Sequence, residues 1–223
     1  NLKKKKLYSH GYGKLDSLIL DLNSFSQKGK FNNSKDILIA PTWGDSSIVK
    51  TSIFDIIEIL LQNSYGITLR FHPMTIRNDK KIIEKLKAKF SSNKQVKFDN
   101  NFNSNESYIK SKIMISDWSG AAIEYAFATV RPVIFIDTKP KTNNLNWNKL
   151  NVPCIEDSIR GDIGEILSEK KLSELPKIIN KMLNETESWN DKIKSIRDKT
   201  VFNLGKSGIK GAEMILQSVE DKI

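Results

Sequence analysis

The stretch "KIMISDWSGAAIEYAFATVRPVIFID", residues 112–137, decides the fold. An apolar run ends at residue 116, a short polar turn follows, and a helical pattern rich in small residues covers 120–129. A second apolar run covers 132–137. Apolar runs without polar alternation are typical of strands that are buried on both faces, as in parallel sheets. The stretch therefore predicts a strand, a helix and a second, parallel strand.

The same alternation extends over most of the chain. The predicted strands cover 37–40, 67–71, 95–98, 112–116 and 132–137. The predicted helices between them cover 47–63, 78–90, 105–111 and 120–129. This order predicts an α/β fold with a Rossmann-like doubly wound parallel sheet. Ligands of such sheets bind beyond the carboxyl ends of the strands, so the loops there are the candidates for a functional site.

The chain divides into two regions by composition. Residues 1–30 are expected to form a linker and a helix, and residues 31–223 a Rossmann-like domain. This domain carries a C-terminal helical extension, for which the predicted helices cover 162–169, 173–186, 188–199 and 206–221. The polar segment 137–151 is long enough to be an ordered functional loop or a flexible flap.

The composition limits the classes of partner and compartment. A formal charge of +10 over 223 residues favours anionic partners, namely nucleic acid, an anionic membrane face or a nucleotide-activated substrate. Cys154 is the only cysteine, which excludes an internal disulfide and favours a reducing compartment. It follows a proline in an apolar patch, so we expect a buried thiol. No run of about 18 apolar residues is present, and the basic amino end has no apolar stretch of a secretory signal behind it.

The turn after the strand at 112–116 is a candidate phosphate cradle. Ser116 and Ser119 can donate hydroxyl hydrogen bonds, and Asp117 and Gly120 stand between them and the next helix. Free amides and the positive end of the helix dipole bind anions at such a position. The competing interpretation is an ordinary helix cap provided by Asp117 or Ser119. Glu124, further along the same helix, is either a carboxylate that accepts both ribose hydroxyls or a solvated glutamate.

Two further loops end strands at the same predicted edge. "LRFHP" places His72 at a strand terminus before a proline, where an imidazole can hold a pyrophosphate or protonate a departing phosphate oxygen. "APTWGDSS" places Thr42 and Gly44 before a long helix, as a hydroxyl and a permissive backbone. "GKSG" at 205–208 lacks the spacing of a Walker motif, so a helix cap with a basic residue is the better interpretation.

Taken together, five motifs resemble those of the CDP-glycerol glycerophosphotransferase family, which builds teichoic-acid and capsular poly(glycerol phosphate) chains. They are "HGYGKLD" (10–16), "ILIAPTWGD" (37–45), "LRFHP" (69–73), "ISDWSGAAIEYAFATVRPVIFID" (115–137) and "GKSGIKGAEMIL" (205–216). The chain departs from the family pattern in several places, with Gly44 for a frequent arginine, Gly120 for a second serine and Glu124 for an aspartate. These departures keep other nucleotide-activated donors open.

The resemblance implies the C-terminal, donor-binding half of a GT-B fold. It further implies attack of an acceptor hydroxyl on the β-phosphorus of a CDP-linked polyol, with a catalytic base on an N-terminal domain that this chain lacks. By matching position, His72 would stabilise the pyrophosphate or the leaving phosphate. Ser116, Ser119 and the Gly120 amide would cradle it, Thr42 and Gly44 would line the cleft, and Glu124 would hold the ribose. No metal or other cofactor is demanded, because a helix dipole, hydroxyls and an imidazole can offset the charge.

The expected partners follow from the same resemblance. They are the nucleotide-activated donor, a lipid-linked or polymeric acceptor and the N-terminal GT-B domain of a longer protein, with a cytoplasmic location and peripheral contact with an anionic membrane. One alternative is a GT-B glycosyltransferase or epimerase-like domain that uses a UDP-sugar. A second is a basic nucleic-acid- or membrane-binding module without catalysis. Nucleic acid is not expected, because aromatic residues are not interleaved with the basic ones.

Overall fold

A computed structural model of the chain describes residues 7–27, 36–140, 146, 149 and 154–220. Its centre is a sheet of six strands: β1 (Ile37–Ile39), β2 (Ile67–Leu69), β3 (Val96–Phe98), β4 (Ile113–Ser116), β5 (Val133–Asp137) and β6 (Gly164–Ser168). All neighbouring strands are parallel, in the order β3-β2-β1-β4-β5-β6. The predicted α/β, doubly wound, Rossmann-like sheet is confirmed.

Helices connect these strands and extend beyond them. Before β4 they are α1 (Gly13–Gln27), α2 (Ile48–Thr51), α3 (Ile53–Gln62), α4 (Pro73–Asn78), α5 (Lys80–Phe90) and α6 (Glu106–Lys110). After β4 they are α7 (Gly120–Thr129), α8 (Ile155–Ser158), α9 (Arg160–Ile163), α10 (Leu175–Asn184), α11 (Thr186–Thr200) and α12 (Ser207–Glu220). A 3₁₀ helix (Glu169–Glu174) precedes α10. None of these helices is both long and apolar enough to cross a membrane.

The central strands form the core, as their unbroken apolar sequence predicts. Every residue of β1 and β4 is buried, because helices cover both faces of the sheet. Ala122 and Ala126 of α7 are also fully buried. Their small side chains let this helix approach the sheet closely, which brings its amino end near the carboxyl end of β4.

The predicted helix over 162–169 is wrong. Only α9 is helical there, and residues 164–168 form β6, which pairs in parallel with β5. Gly164 permits this pairing, since a β-carbon at that position would lie 1.8 Å from the carbonyl oxygen of Val133. The apolar spacing of the segment favours a helix locally. The backbone hydrogen bonds that the edge of β5 offers decide the outcome.

The first helix belongs to the same core as the sheet. Leu15, Leu18 and Leu22 are buried, and α1 packs against α6 and α7. The predicted boundary at residue 30 falls within 28–35, which lies outside the described residues, as do 141–145, 147–148 and 150–151 of the polar segment 137–151. The boundary itself stays a prediction.

The last helix is capped by a residue from the first. Asp16 accepts hydrogen bonds from the amides of Gly205 (2.6 Å) and Ser207 (2.9 Å) and from the Ser207 hydroxyl (2.5 Å). Burial alone would raise the pKa of Asp16, but these hydrogen bonds outweigh it and hold the pKa below its ordinary value. "GKSG" is therefore a helix start whose amides bind a carboxylate of this chain, as the cap interpretation predicts.

Candidate functional site

The strand order reverses between β1 and β4, and this point defines the ligand edge of the sheet. In open α/β sheets, ligands bind in the crevice where the order reverses, outside the carboxyl ends of the strands. The loop 40–47 follows β1 and the loop 117–119 follows β4, so the two flank this crevice. Thr42, Gly44 and the predicted cradle are therefore brought to one place.

Asp117 ties these two loops together. Its carboxylate is fully buried and accepts from the amide of Thr42 (2.6 Å) and from the amide of Ile48 (3.0 Å). Burial raises the pKa of Asp117, and the two amides that donate to it act in the opposite direction. The Ser47 hydroxyl donates to the Thr42 carbonyl at 2.8 Å and closes the loop. Asp117 is thus a buried structural brace at the ligand edge of the sheet. Both of its carboxylate oxygens accept hydrogen bonds from backbone amides.

Ser116 also lies inside. It is fully buried, and its hydroxyl donates to the carbonyl of Ala40 at 2.7 Å, which joins the end of β4 to the end of β1. We expected this hydroxyl to contact a phosphate. In the structure it instead joins two strand ends in the interior of the domain. Thr42 is nearly as buried; its backbone amide donates to Asp117, and its carbonyl accepts from the Ser47 hydroxyl.

Ser119 and Gly120 form the open part of the predicted cradle. Ser119 is the N-cap residue of α7, is only partly buried, and makes no side-chain capping bond within the described part of the chain. Gly120 is exposed, and a β-carbon added to it would meet no atom within 4 Å. The amino end of a ten-residue helix, with its free amides and positive dipole, therefore faces open space at the switch point.

His72 lies just beyond the carboxyl end of β2, the strand beside β1 in the sheet. It is the N-cap residue of α4 and exposed, and its Nδ1 accepts from the amide of Met74 at 3.1 Å. With Nδ1 as the acceptor, the neutral imidazole carries its proton on Nε2 and can donate it to a ligand. The Trp43 ring lies 6.0 Å from the imidazole, which brings the loop after β1 against the end of β2.

Gly44 has a backbone reason for being glycine. Its φ of +109° lies in a region that residues with side chains rarely adopt, and its carbonyl accepts from the Ser47 amide at 3.2 Å. The arginine that the family pattern often has here would be strained in this loop.

Glu124 is held by Tyr12, which directly precedes α1, and by Lys14 in the first turn of α1. It accepts from the Tyr12 hydroxyl at 2.5 Å and pairs with Lys14 at 2.8 Å, and its side chain is mostly buried. Burial, followed by the hydrogen bond to this carboxylate, raises the pKa of Tyr12 far above its ordinary value, so the phenol stays protonated. The solvated-glutamate interpretation does not fit. The sequence contained Tyr12 and Lys14 in "HGYGKLD" but gave no sign that they meet a residue 112 positions away.

Two cavities adjoin Glu124. One of about 310 Å³ extends along α7 and past the end of α11, with mainly apolar walls that include Ile123, Phe127 and Val201. The other, of about 270 Å³, lies between α1 and the loop after β3, and its walls include Lys14, Asn105 and Tyr108. Sequence reasoning found neither set of walls.

A stacked arginine lies beside the loop after β4. The Arg160 guanidinium sits 3.9 Å from the centre of the Trp118 ring and 3.4 Å from the Asp137 carboxylate. The Trp118 indole donates to the carbonyl of Thr138 at 2.9 Å. These contacts hold the residue before Ser119 against the end of β5.

Two remaining expectations concern cysteine and metal. Cys154 is exposed, so the predicted buried thiol is wrong, and its contact with Glu156 raises the pKa of the thiol. Ile155, the apolar residue that follows it, is exposed as well. Within the described residues, no group of three or more His, Cys, Asp or Glu side chains is arranged to hold a metal ion.

This parallel sheet, with an open helix end at its switch point, defines a Rossmann-like domain of the GT-B type. The chain belongs to the CDP-glycerol:poly(glycerophosphate) glycerophosphotransferase family, whose profile matches residues 1–203, so the resemblance of the motifs is confirmed. Comparison with curated protein sequences gives no match.

Solved structures share the fold at low identity. The UDP-GlcNAc 2-epimerase of Methanocaldococcus jannaschii matches 97% of this chain and 56% of its own, at 19% identity and a TM-score of 0.59. The wall teichoic acid polymerase TagF, in a crystal soaked with CDPG, matches 99% and 53%, at 19% identity and 0.56. The UDP-GlcNAc 2-epimerase of Neisseria meningitidis matches 93% and 54%, at 18% identity and 0.58. The chain thus spans about half the length of these proteins.

Proposed function

We propose that this domain binds a CDP-activated polyol, CDP-glycerol or a close relative. In the longer protein it would transfer the phosphopolyol group to a hydroxyl of a cell-surface polymer or glycolipid. The observation that carries the proposal is the convergence of the open amino end of α7 and the exposed His72 on one switch point. Helix amides and an imidazole Nε2–H are both suited to the oxygens of a diphosphate.

We assign the role of each site residue from its position and its exposure. Ser119 and the Gly120 amide would bind the diphosphate, and Gly44 would let the loop after β1 approach it. Thr42 would line the cleft through the loop that Asp117 holds. His72 would donate a hydrogen bond from its Nε2–H to the departing phosphate oxygen and stabilise the charge that develops there.

The transfer is an in-line substitution at phosphorus. The acceptor oxygen forms a bond to the β-phosphorus, the bond between this phosphorus and the bridging oxygen breaks, and CMP leaves with that oxygen. The proton of the acceptor hydroxyl goes to a base on the N-terminal domain. The open end of α7 would stabilise the negative charge that develops on the phosphate oxygens, without a step that needs a metal ion.

Glu124 would hold the ribose only after an exchange of partners. A ribose hydroxyl can replace the Tyr12 hydroxyl, because both donate to a carboxylate oxygen, while Lys14 can stay paired with the second oxygen. Binding of the donor would therefore displace Tyr12 from α7.

The N-terminal GT-B domain is the first proposed partner. Tyr8 and the apolar side of α12 frame a groove of about 400 Å³, and Ile215, Leu216 and Val219 are each more than half exposed. Apolar side chains exposed together on one helix favour a protein neighbour. The solved relatives are about twice as long as this chain, which supplies such a neighbour.

The acceptor and the location complete the proposal. A lipid-linked or polymeric acceptor of the capsule or teichoic-acid class would meet the cleft at the cytoplasmic face of the membrane. The charge of +10 would favour peripheral contact with anionic lipid. Sedimentation with vesicles of anionic and of neutral lipid tests this: binding to both alike, or to neither, would contradict it.

Calorimetric titration tests the donor. The chain is titrated at low salt with CDP-glycerol, CDP, CMP and UDP-GlcNAc, alone and as His72→Ala. The control is His10→Ala, which removes the second of the two histidines and leaves the sheet edge intact. We expect cytidine ligands to be preferred and His72→Ala alone to weaken the diphosphates. Preference for UDP-GlcNAc would support the UDP-sugar alternative, and equal binding by both variants would remove His72 from the site.

A further inference from the structure

Arg70 has a structural environment that its sequence motif does not predict. It follows β2, two residues before His72, and its side chain is largely buried. One guanidinium nitrogen donates to the Asp99 carboxylate at 2.6 Å, to the Ser104 carbonyl at 2.9 Å and to the Asn101 carbonyl at 3.3 Å. The other donates to the Phe102 carbonyl at 3.4 Å. A single side chain thus holds most of the loop after β3.

Aromatic rings complete this environment. The guanidinium carbon lies 5.6 Å from the centre of the Tyr108 ring and 5.9 Å from that of Phe102, within the range of a cation–π contact. Lysine cannot replace these contacts, because it offers one compact charge where arginine offers a planar fork of five donors. The conformation of the loop therefore depends on arginine at position 70.

The loop held by Arg70 is a wall of the cavity of about 270 Å³ next to Glu124. Phe102 and Asn105 contribute an aromatic ring and an amide to this wall, and the Asn105 amide also donates to Asp21 of α1 at 3.0 Å. Such a wall suits a nucleobase, which offers a flat ring and hydrogen-bonding edges. The larger cavity on the other side of Glu124 is walled mainly by aliphatic and aromatic carbon and lacks this combination.

We infer that Arg70 is a positioning residue that sets the base selectivity of the donor site by fixing the loop after β3. This inference rests on the proposed function, since it takes the ribose to be at Glu124. Arg70 itself also borders this cavity, and it acts by fixing the loop that carries Phe102 and Asn105. Its loss should reduce discrimination between bases and spare the affinity for a bare diphosphate.

The test compares the chain with Arg70→Lys and with Arg77→Lys, a matched change at an exposed arginine of α4. Dissociation constants are measured for CMP, UMP and inorganic pyrophosphate. We expect Arg70→Lys to weaken CMP about tenfold, the equivalent of about 1.4 kcal/mol, and to bring the CMP-to-UMP ratio near one. Pyrophosphate affinity should stay within about twofold, and Arg77→Lys should change nothing.

Two readouts separate positioning from general damage. Hydrogen exchange of the amides in 99–105 should accelerate in Arg70→Lys, while the amides of α7 should keep their protection. Phe102→Ala, which changes the wall directly, should lower the base ratio in the same way. Parallel loss of CMP, UMP and pyrophosphate, or an unchanged base ratio in Arg70→Lys, would overturn the inference while leaving the proposed function intact. If the unaltered chain bound pyrophosphate but no nucleotide preferentially, both would fall.

Discussion

Replacement of Asp117 by alanine should destabilise the domain strongly, because this one carboxylate accepts two buried hydrogen bonds. The change leaves the buried amides of Thr42 and Ile48 without their acceptor. A buried polar group that loses its partner costs about 1–3 kcal/mol, so two of them cost about 2–6 kcal/mol. Relief from burying a charged carboxylate offsets part of this, so we expect a loss in the lower half of that range.

The expected loss is large enough to measure by thermal unfolding. For a domain of this size, 1 kcal/mol corresponds to a shift of about 2–4 °C, so a loss of about 2–4 kcal/mol should lower the midpoint by roughly 4–16 °C. Asp117→Asn should fall less, because its amide oxygen can still accept one of the two hydrogen bonds. Asp45→Ala is the control, since this fully exposed carboxylate pairs only with a surface lysine and should shift the midpoint by less than about 2 °C.

The same variants test whether the brace serves the ligand edge. Asp117→Ala should also weaken diphosphate binding, because the loop after β1 loses its fixed position. An Asp117→Ala midpoint equal to that of Asp45→Ala would refute the reasoning, because it would mean that the two amides find other partners at no cost.

Three further outcomes are expected. Tyr12→Phe should tighten CMP binding about two- to tenfold, because it frees Glu124 from a hydrogen bond worth about 0.5–1.5 kcal/mol; weaker binding would instead make Tyr12 part of the site. The stability that Asp16 contributes should be present above the ordinary carboxyl pKa of 3.8 and lost as the pH falls through its lower folded value. The urea midpoints of the wild type and Asp16→Asn should therefore converge in acid, and a constant gap would contradict this. Gly44→Ala should cost about 1–3 kcal/mol through strain at positive φ, measured by urea unfolding, and a smaller cost would show that the loop adapts.

The sequence predicts the centre of this fold well because a strand that is buried on both faces has a nearly continuous apolar sequence. β1, β4 and β5 are unbroken apolar runs, and α7 lies where its small residues indicate. β6 lacks such a continuous apolar sequence. Only Gly164 and Leu167 of its five residues are buried, and its strand conformation depends on pairing with β5, which no local pattern reports.

The candidate site is predictable as a place but not as a set of contacts. The polar residues after β1, β2 and β4 meet at one edge because parallel strands end together. Their directions depend on partners far along the chain. Ser116 turns to a carbonyl 76 positions away and Asp117 to an amide 75 away, so two of the predicted ligand groups became internal braces. The contacts of Glu124 and Arg70 are likewise made with residues that are distant in the sequence.

The cap that Asp16 places on α12 has a consequence for synthesis on the ribosome. Ser207 is made 191 residues after Asp16, which at about 5–20 residues per second is a wait of roughly 10–40 s. During that time α1 has neither α12 nor, for the first part, α7 to cover its leucines. The leucines of α1 thus lack part of their cover until the last helix is made, and we expect them to be a binding site for chaperones during that time.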